Sequence, residues 1–289
     1  RLTLNWQSQL YSQEKSYDTE QGNTTIYYKQ YEEDVDYISE GKDVSEERLD
    51  FPLKWVSFKQ QFFNATLVAD ESFERGSVST FGPDEDHEGY NDYLKDLEAK
   101  LYLPYDGQED AVYGMQYYFG TNGYNQLKQY DLELEEMVPL GWAIFRWVNK
   151  FMVLPVFNFF GNFISNYGLI IFLLALFIKI ILTPLTYKSY LSSAKMRVLK
   201  PELDEIREKH KDDMQKIQME QMKLYRKTGV NMMGGCIPML LQLPILIAMY
   251  NFFPASIHLR QAEFLWAEDL STYDNILPYL GLESLPFNI

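Results

Sequence analysis

The chain has 289 residues, a formal net charge of −15 at pH 7 and a single cysteine, Cys236, so it forms no intrachain disulfide. The acidic balance argues against a nucleic-acid-binding protein, and we expect no recognition of nucleic acid sequence. The charge is uneven: residues 1–136 hold 29 acidic and 11 basic side chains, and the remainder holds 12 and 15. This asymmetry predicts a water-soluble acidic domain joined to a membrane domain. Because the chain starts at Arg1 without an initiator methionine, we expect it to be part of a longer protein.

The first part of the chain alternates apolar and polar residues in the way that β-strands do. The clearest examples are residues 24–29, 55–59, 65–69, 101–104 and 112–120. Turn residues such as Gly22-Asn separate these runs, and aromatic and β-branched residues are frequent within them. The pattern predicts a β-sandwich, or part of one, over about residues 1–120, followed by a short helix and a linker at 124–136.

Residues 137–162 combine aromatic and basic side chains, as helices that lie in the membrane interface do. The residues on which this prediction rests are Trp142, Phe145, Arg146, Trp147 and Lys150. The alternative is an ordinary amphipathic core helix. We favour the membrane surface because an apolar segment follows directly.

Two apolar segments, 163–187 and 231–253, predict transmembrane helices, although the second is at the short limit for a span. The segment between them, 188–230, is basic, whereas the loop at 254–289 has a single cation, Arg260. The positive-inside rule therefore places 188–230 in the cytoplasm and the β domain and the final loop on the opposite side.

The predicted cytoplasmic segment has apolar residues at helical spacing in two stretches. His210-Lys-Asp-Asp interrupts the pattern, Asp213 is placed to cap the second helix, and Gly229 suits its end. This pattern predicts a helical hairpin. The alternative is a solvated helical linker. Its candidate contact residues are Lys195, Arg197, Arg207, Lys209 and Lys211.

One cation, Lys179, lies within the first apolar segment. A charge at membrane depth costs at least about 2.5–3.5 kcal/mol, so it lines a polar cavity or snorkels to the headgroups. Thr183 and Thr186 follow at helical spacing, and together the three residues predict a wet groove. Gln242 is the corresponding polar residue within the second segment. It lines the same groove or, as the alternative, forms an interhelical hydrogen bond.

The sequence contains no enzyme motif, and we expect no catalytic residue, metal site or cofactor. His87 lies in an acidic stretch, 84–89, that has some of the character of a calcium site but lacks the EF-hand spacing. Two other classes remain open. One is part of a transporter or channel with Lys179 as its substrate or proton site. The other is a carbohydrate-binding β domain on a membrane anchor.

Several motifs resemble those of the YidC-type membrane protein insertases, over a nearly continuous stretch from about 137 to 278. They include Thr183-Pro-Leu-Thr-Tyr-Lys-Ser-Tyr, Lys200-Pro-Glu-Leu-Asp-Glu-Ile-Arg-Glu-Lys, Met222-Lys-Leu-Tyr-Arg-Lys-Thr-Gly-Val-Asn and Gly234-Gly-Cys-Ile-Pro-Met-Leu-Leu-Gln-Leu-Pro-Ile. Trp55-Val-Ser-Phe-Lys-Gln-Gln-Phe-Phe looks like a segment of the family's periplasmic domain.

The resemblance implies a multidomain fold: a mainly-β periplasmic super-sandwich followed by an α-helical membrane insertase core with a cytoplasmic helical hairpin. The expected boundaries are 1–136 for the β domain, 137–162 for the interfacial helix and linker, 163–187 and 231–253 for the spans, 188–230 for the hairpin and 254–289 for a periplasmic loop.

The resemblance also implies an inner-membrane protein that inserts and helps to fold nascent membrane proteins through a hydrophilic groove. Its expected partners are nascent chains and the lipid bilayer, together with the Sec translocon, the ribosome and a targeting factor. The family's groove cation is usually arginine, and the matching residue here is Lys179. Lysine keeps the charge but lacks the planar guanidinium that binds carboxylates through two hydrogen bonds. Gln242 matches a groove-lining glutamine of the family.

Overall fold

The computed structural model describes residues 2–38, 45–82, 93–105, 107, 111–210, 213–229 and 237–273. Three residues discussed above, His87, Lys211 and Cys236, lie outside these ranges. The chain divides into two compact units. One comprises Arg1–Pro139 and Phe252–Ile289, and the other comprises Leu140–Asn251.

The first unit is built on two antiparallel sheets. Its strands are β1 (Leu2–Tyr11), β2 (Thr25–Gln30), β3 (Val35–Tyr37), β4 (Ser45–Leu49), β5 (Leu53–Lys59), β6 (Phe63–Phe73), β7 (Arg75–Phe81), β8 (Tyr93–Leu103) and β9 (Met115–Thr121). One sheet has the order β1-β8-β7-β4 and the other the order β3-β2-β5-β6-β9.

The two sheets enclose one hydrophobic core, which confirms the predicted sandwich. Leu97, Ala99 and Leu101 of β8 are fully buried at alternate positions, as the two-residue period of a strand requires. They share this core with residues of the second sheet such as Val56 and Phe58.

A short helix, α1 (Tyr17–Gly22), lies inside the region predicted to be only strands. Its buried Glu20 accepts hydrogen bonds from the Ser12 hydroxyl at 2.8 Å and from the backbone of the preceding loop. Two fully buried lysines, Lys59 and Lys95, donate to carbonyls just beyond its end, at 3.1 Å and 2.6 Å. Buried ammonium groups need such partners, and the carboxyl end of a helix provides them.

The predicted short helix and linker are α2 (Tyr124–Lys128) and a 3₁₀ turn, Leu134–Met137. The buried Trp55 of β5 donates its indole N–H to the carbonyl of Leu132 at 2.9 Å. This bond and the buried Leu134 hold the linker on the sandwich.

The second unit is helical. Its elements are α3 (Ile144–Val148), a π-helical turn (Asn149–Val153), α4 (Leu154–Gly161), α5 (Tyr167–Val198), α6 (Lys200–Lys209), α7 (Met214–Thr228) and most of α8 (Ile237–Ala255). Asn166 caps α5 by accepting a hydrogen bond from the backbone N–H of Leu169 at 2.9 Å.

Within the described part of the chain, one helix, α5, is long and apolar enough to cross a membrane, and Met239–Ala255 is a shorter apolar segment of α8. The 32 residues of α5 span about 48 Å, which exceeds a hydrocarbon core of about 30 Å. The helix ends at Val198, eleven residues beyond the predicted end of the span at 187. A change to polar side chains ends the apolar segment but does not end the helix.

The second helix of the hairpin, α7, has the predicted ends. The carboxylate of Asp213 accepts the backbone N–H of Lys216 at 3.0 Å, and Gly229 takes a φ of +64° after α7. Leu199 and Leu203 pack against Leu224 of α7, so the two helices share a narrow apolar contact.

Valine-to-alanine substitutions test the assignment of the sandwich core. Val78 is 1% exposed and Val112 is 93% exposed. We expect Val78→Ala to lower the free energy of unfolding of the β unit by about 2 kcal/mol, because it removes two buried methyl groups and leaves a cavity. Val112→Ala is the matched control and should change it by less than about 0.5 kcal/mol. Urea unfolding in detergent, followed by near-ultraviolet circular dichroism, measures both, and equal effects would contradict the assigned core.

Candidate functional site

Lys179 is the only charged side chain between Tyr167 and Tyr187. It lies twelve residues into α5, about 18 Å along the helix axis from its start. The side chain is exposed, beside apolar residues such as Ile180, which is 61% exposed. Within the described residues it has no ion pair and no side-chain hydrogen bond. The structure thus presents an unpaired cation on an apolar helix surface.

Thr183 and Thr186 lie one and two turns beyond Lys179, and their hydroxyl groups donate to the helix backbone. Thr183 Oγ1 bonds the Lys179 carbonyl at 2.7 Å, and Thr186 Oγ1 bonds the Leu182 carbonyl at 3.1 Å. Pro184 lies between them and lacks an N–H, so it removes one backbone hydrogen bond of the helix. Their protons are therefore used within α5, and only their oxygen lone pairs remain to face a groove.

Gln242 is an exposed residue of α8. Among the described residues, no hydrogen bond joins it to Lys179, Thr183 or Thr186. The three polar residues of α5 thus lie on one helix, and no described hydrogen bond connects Gln242 to them.

The predicted interfacial segment exposes aromatic rings. Trp142 is 72% exposed, Trp147 is 61% exposed, and the neighbouring Phe151 is 60% exposed. Arg146, half-buried, donates from Nε to the Gly141 carbonyl at 3.3 Å, and Lys150 is also half-buried. Exposed indole rings on a helix suit the boundary between headgroups and acyl chains.

Phe145 does not belong to this exposed set. It is only 9% exposed and lies edge-on to Trp142 at a centroid distance of 5.0 Å. Together with the buried Val148 it forms the inner face of the helix, because residues three apart lie on one side. This burial does not support a place for Phe145 among the exposed rings, and its role at the membrane interface stays a prediction.

Asn149 is a residue whose role sequence reasoning missed. Asparagine is mostly found exposed, but Asn149 is fully buried and begins the π-helical turn. Its amide donates to the Leu140 carbonyl at 2.8 Å and to the Ala248 carbonyl of α8 at 2.7 Å. A polar residue among aromatics was the only signal in the sequence, and it did not reveal these distant partners. The amide ties the interfacial segment to α8.

The π turn lies directly before Pro155, the second residue of α4. A proline ring crowds the carbonyl four residues earlier, and a wider turn relieves that contact. In this turn the backbone N–H of Leu154 donates to the Asn149 carbonyl, five residues before it.

Four of the five cations predicted on the hairpin surface are exposed, and the fifth, Lys211, lies outside the described residues. Lys195 and Arg197 extend from the end of α5, Lys209 from the end of α6, and Arg207 pairs with Asp204 at 3.4 Å. On α7, a hydrogen bond from Lys223 at 2.9 Å lowers the pKa of the exposed Glu220 carboxyl. These pairs are solvated and add little to stability. The hairpin thus presents a mixed charged surface with several free cations.

An acidic cavity of about 600 Å³ lies on the β unit, lined by Tyr28, Gln30, Glu32, Glu33, Asp34, Val35 and Asp36. Burial, followed by the charge of Glu47, raises the pKa of Tyr28, whose hydroxyl donates to Glu47 at 3.0 Å. The lining carboxylates are exposed, and the described residues include no group of three His, Cys, Asp or Glu side chains placed to hold a metal ion. A carbohydrate groove would need several aromatic faces, and this cavity offers one tyrosine. We therefore regard it as a solvated acidic surface.

An acidic β-sandwich, a long helix whose apolar part holds one cation and a charged helical hairpin together define a membrane protein with a large water-exposed domain. Residues 2–155 match the family model of the YidC periplasmic domain, and residues 159–287 match that of the 60Kd inner membrane protein. The chain belongs to the YidC family of inner membrane proteins.

Curated relatives extend the match over nearly the whole chain. It is 43% identical over 288 residues to a membrane protein insertase YidC of Parabacteroides distasonis, covering 96% of this chain and 44% of the relative. It is 41% identical to that of Amoebophilus asiaticus, covering 100% of this chain and 47% of the relative. A Porphyromonas gingivalis relative is 42% identical, with coverage of 96% and 45%. The chain therefore spans less than half the length of these relatives.

Asn149→Leu tests the buried amide bridge. The leucine fills a similar volume but leaves the Leu140 and Ala248 carbonyls without their donor, and each unsatisfied group costs about 1–3 kcal/mol. We expect a fall in thermal stability of the helical unit in detergent, measured as the temperature of unfolding. Asn158→Leu is the control, because this half-buried asparagine has no side-chain hydrogen bond among the described residues. The bridge would be unimportant if both variants unfolded at the same temperature.

Proposed function

We propose that this chain is part of a membrane protein insertase and that Lys179 is the charged residue of its substrate groove. The observation that carries the proposal is the exposed, unpaired ammonium group about 18 Å along an otherwise apolar helix. The name shared by the relatives, membrane protein insertase YidC, supports the same activity.

The cost of a membrane-embedded charge explains why Lys179 points to function. An ammonium group facing acyl chains would be expensive, so a cation at this depth is maintained when it faces water or protein and acts there. A groove open to the cytoplasm and to lipid, and closed toward the periplasm, would keep Lys179 hydrated. The threonine oxygens of the same helix face would then accept hydrogen bonds from water or substrate.

The mechanism is electrostatic capture followed by hydrophobic transfer. An acidic segment of a nascent chain is attracted to Lys179, and the attraction is stronger in the low dielectric of the bilayer than in water. The apolar segment of the substrate then moves into lipid. This transfer is favourable by about 25 cal/mol for each Å² of apolar surface removed from water. The acidic tail crosses with it, and neither a covalent intermediate nor a nucleotide is needed.

Gln242 belongs to this proposal as a second groove-lining residue, contributed by α8. An amide can donate to the substrate backbone as well as accept from it, which suits a polypeptide whose sequence varies. Because the described residues of α8 place it on an exposed surface, it is free to serve this role.

The hairpin and the interfacial segment complete the proposed assembly. The exposed cations of the hairpin, on the cytoplasmic side, receive the substrate, the ribosome or a targeting factor. The exposed Trp142 and Trp147 lie at the bilayer surface. The protein is a multi-pass inner-membrane protein in this account, with its acidic domain in the periplasm, and it works alone or beside the Sec translocon.

Substitution of Lys179 in the full-length protein tests the role of its charge. At about 10 Å and an effective dielectric constant of about 20, the attraction to one carboxylate is about 1.7 kcal/mol. We therefore expect Lys179→Ala to slow the insertion of a single-span substrate with an acidic tail by roughly tenfold, and Lys179→Arg to retain most of the rate. Insertion into proteoliposomes, scored by protease protection of the tail, measures both.

Ile181→Ala is the matched control, because it changes an exposed side chain on a different face of α5. Several substrates that differ in tail charge are needed, and the loss should grow with the number of acidic residues. Unchanged insertion of every acidic substrate by Lys179→Ala would remove the charge from the mechanism.

A further inference from the structure

The segment that follows α8 contains a tight hairpin turn at Phe264–Ala267. The backbone N–H of Phe264 donates to the Ala267 carbonyl at 2.9 Å, and the N–H of Ala267 donates back to Phe264 at 2.9 Å. Two residues, Leu265 and Trp266, form its tip. The tip is therefore held by a reciprocal pair of backbone hydrogen bonds.

Both tip residues are large, apolar and directed outward. Leu265 is 77% exposed and Trp266 is 65% exposed. Leu265 has a φ of +54°, a conformation that such turns usually give to glycine, asparagine or aspartate. A bulky residue in this conformation is strained, and such strain is concentrated at functional sites.

The base of the hairpin is firmly attached to the β unit. Arg260 pairs through Nε with Glu14 at 2.8 Å, both side chains being largely buried, and its guanidinium lies 5.3 Å from the centre of the Phe63 ring. Gln61 donates to the Pro254 carbonyl at 3.1 Å, and Leu259 is fully buried. The exposed pair at the tip is thus presented from a fixed base.

The position in the chain indicates what the tip contacts. It begins nine residues after the end of α8 at Ala255, and α8 carries an apolar segment, Met239–Ala255. A loop that leaves a membrane helix starts at the level of the headgroups. Tryptophan is enriched at that level because its ring is largely apolar and its N–H is polar, and leucine gains from contact with acyl chains.

The charges around the tip distinguish between kinds of partner. Glu263, Glu268 and Asp269 flank it, and all are acidic. Attraction to anionic lipid therefore cannot hold it, and transfer of the two apolar side chains supplies the driving force.

We propose that Leu265 and Trp266 insert into the headgroup region of the leaflet on the β-domain side and so anchor that domain to the bilayer. The proposal rests on the assignment of α8 to the membrane, which is part of the proposed function, but it does not depend on the role of Lys179. An experiment can therefore disprove the insertion of the tip without disproving the groove mechanism, and the reverse is also true.

Spin labels test the insertion directly. In the full-length protein with Cys236 and any further native cysteine replaced by serine, Trp266→Cys is labelled with a nitroxide and reconstituted into phosphatidylcholine vesicles. Power saturation compares collisions with oxygen, which concentrates in lipid, and with a soluble nickel chelate. We expect a positive depth parameter at 266. We expect negative values for the matched labels at Glu263→Cys, exposed in the same loop, and Val112→Cys, exposed on the β unit.

A second measurement uses the native side chain and does not depend on the label. Lipids brominated near the headgroup should quench the tryptophans at the bilayer surface, which include Trp142 and Trp147 under the proposed function. Trp266→Phe should remove the additional quenching that Trp266 contributes and leave the rest unchanged. The depth at 266 should remain unchanged when phosphatidylglycerol replaces some of the phosphatidylcholine, because the flanking charges are acidic.

Three results would overturn the proposal. A depth parameter at 266 equal to that at 263 would place the tip in water. Line broadening that disappears on dilution with unlabelled protein would show that the tip contacts a second copy. Protection from the nickel chelate that arises only when an insertion substrate is added would assign the tip to the substrate.

Discussion

The hydrocarbon layer cannot satisfy a hydrogen bond, and this constraint governs the polar groups of the helical unit. Thr183 and Thr186 donate to the carbonyls of Lys179, Leu182 and Thr183, which all precede Pro184, so both hydroxyl groups are paired within α5. Of these three polar residues of α5, Lys179 is the one whose side chain has no hydrogen bond or ion pair in the described part of the chain. This contrast leads us to assign Lys179, rather than its polar neighbours, to function.

The same constraint explains how the interfacial segment is attached. A buried amide is stable only when its donors are used, and Asn149 uses both on carbonyls more than a hundred residues apart in sequence, Leu140 and Ala248. Its side-chain oxygen has no partner in the structure. Movement of α8 would therefore be transmitted through this bridge to the segment around Asn149.

The β unit is stabilised differently, by an apolar sandwich core and a few buried charges that form hydrogen bonds. Lys59 and Lys95 bond to carbonyls beyond α1, and Arg260 brings the segment after α8 onto the same unit through Glu14. The segment that follows α8 is therefore held on the β unit by a largely buried ion pair. Its acidic exterior keeps it soluble without fixing its fold.

The sequence predicted what local pattern determines. Strand alternation revealed the sandwich, and the caps at Asp213 and Gly229 located the helical hairpin, because each depends on residues close together in the chain. The sequence did not predict contacts between residues that are far apart in the chain. The burial of Asn149 and Phe145 and the pairing of Arg260 with Glu14 depend on packing that no periodicity encodes. The small helix α1 was missed because its stability comes from Glu20 bonding to a loop and not from helical propensity.

The candidate site was predicted in the same partial way. Helical spacing correctly placed Lys179, Thr183 and Thr186 on one face of α5, since these residues share a helix. Spacing cannot relate one helix to another, and the expectation that Gln242 joins them remains a prediction. Composition identified the aromatic surface around Trp142 and Trp147 but not which rings turn inward.

Whether water reaches position 179 inside the bilayer is the most direct question for this account. In the full-length protein with Cys236 and any further native cysteine replaced by serine, a cysteine at Lys179 or at Ile181 can be exposed, in sealed membranes, to a charged methanethiosulfonate added from the cytoplasmic side. Both positions are exposed on α5, but they lie on different faces, and this reaction requires an ionised thiol in contact with water. The account predicts fast modification at 179 and slow modification at 181. Equally slow modification at both positions would mean that the face of Lys179 is dry and would contradict the hydrated groove.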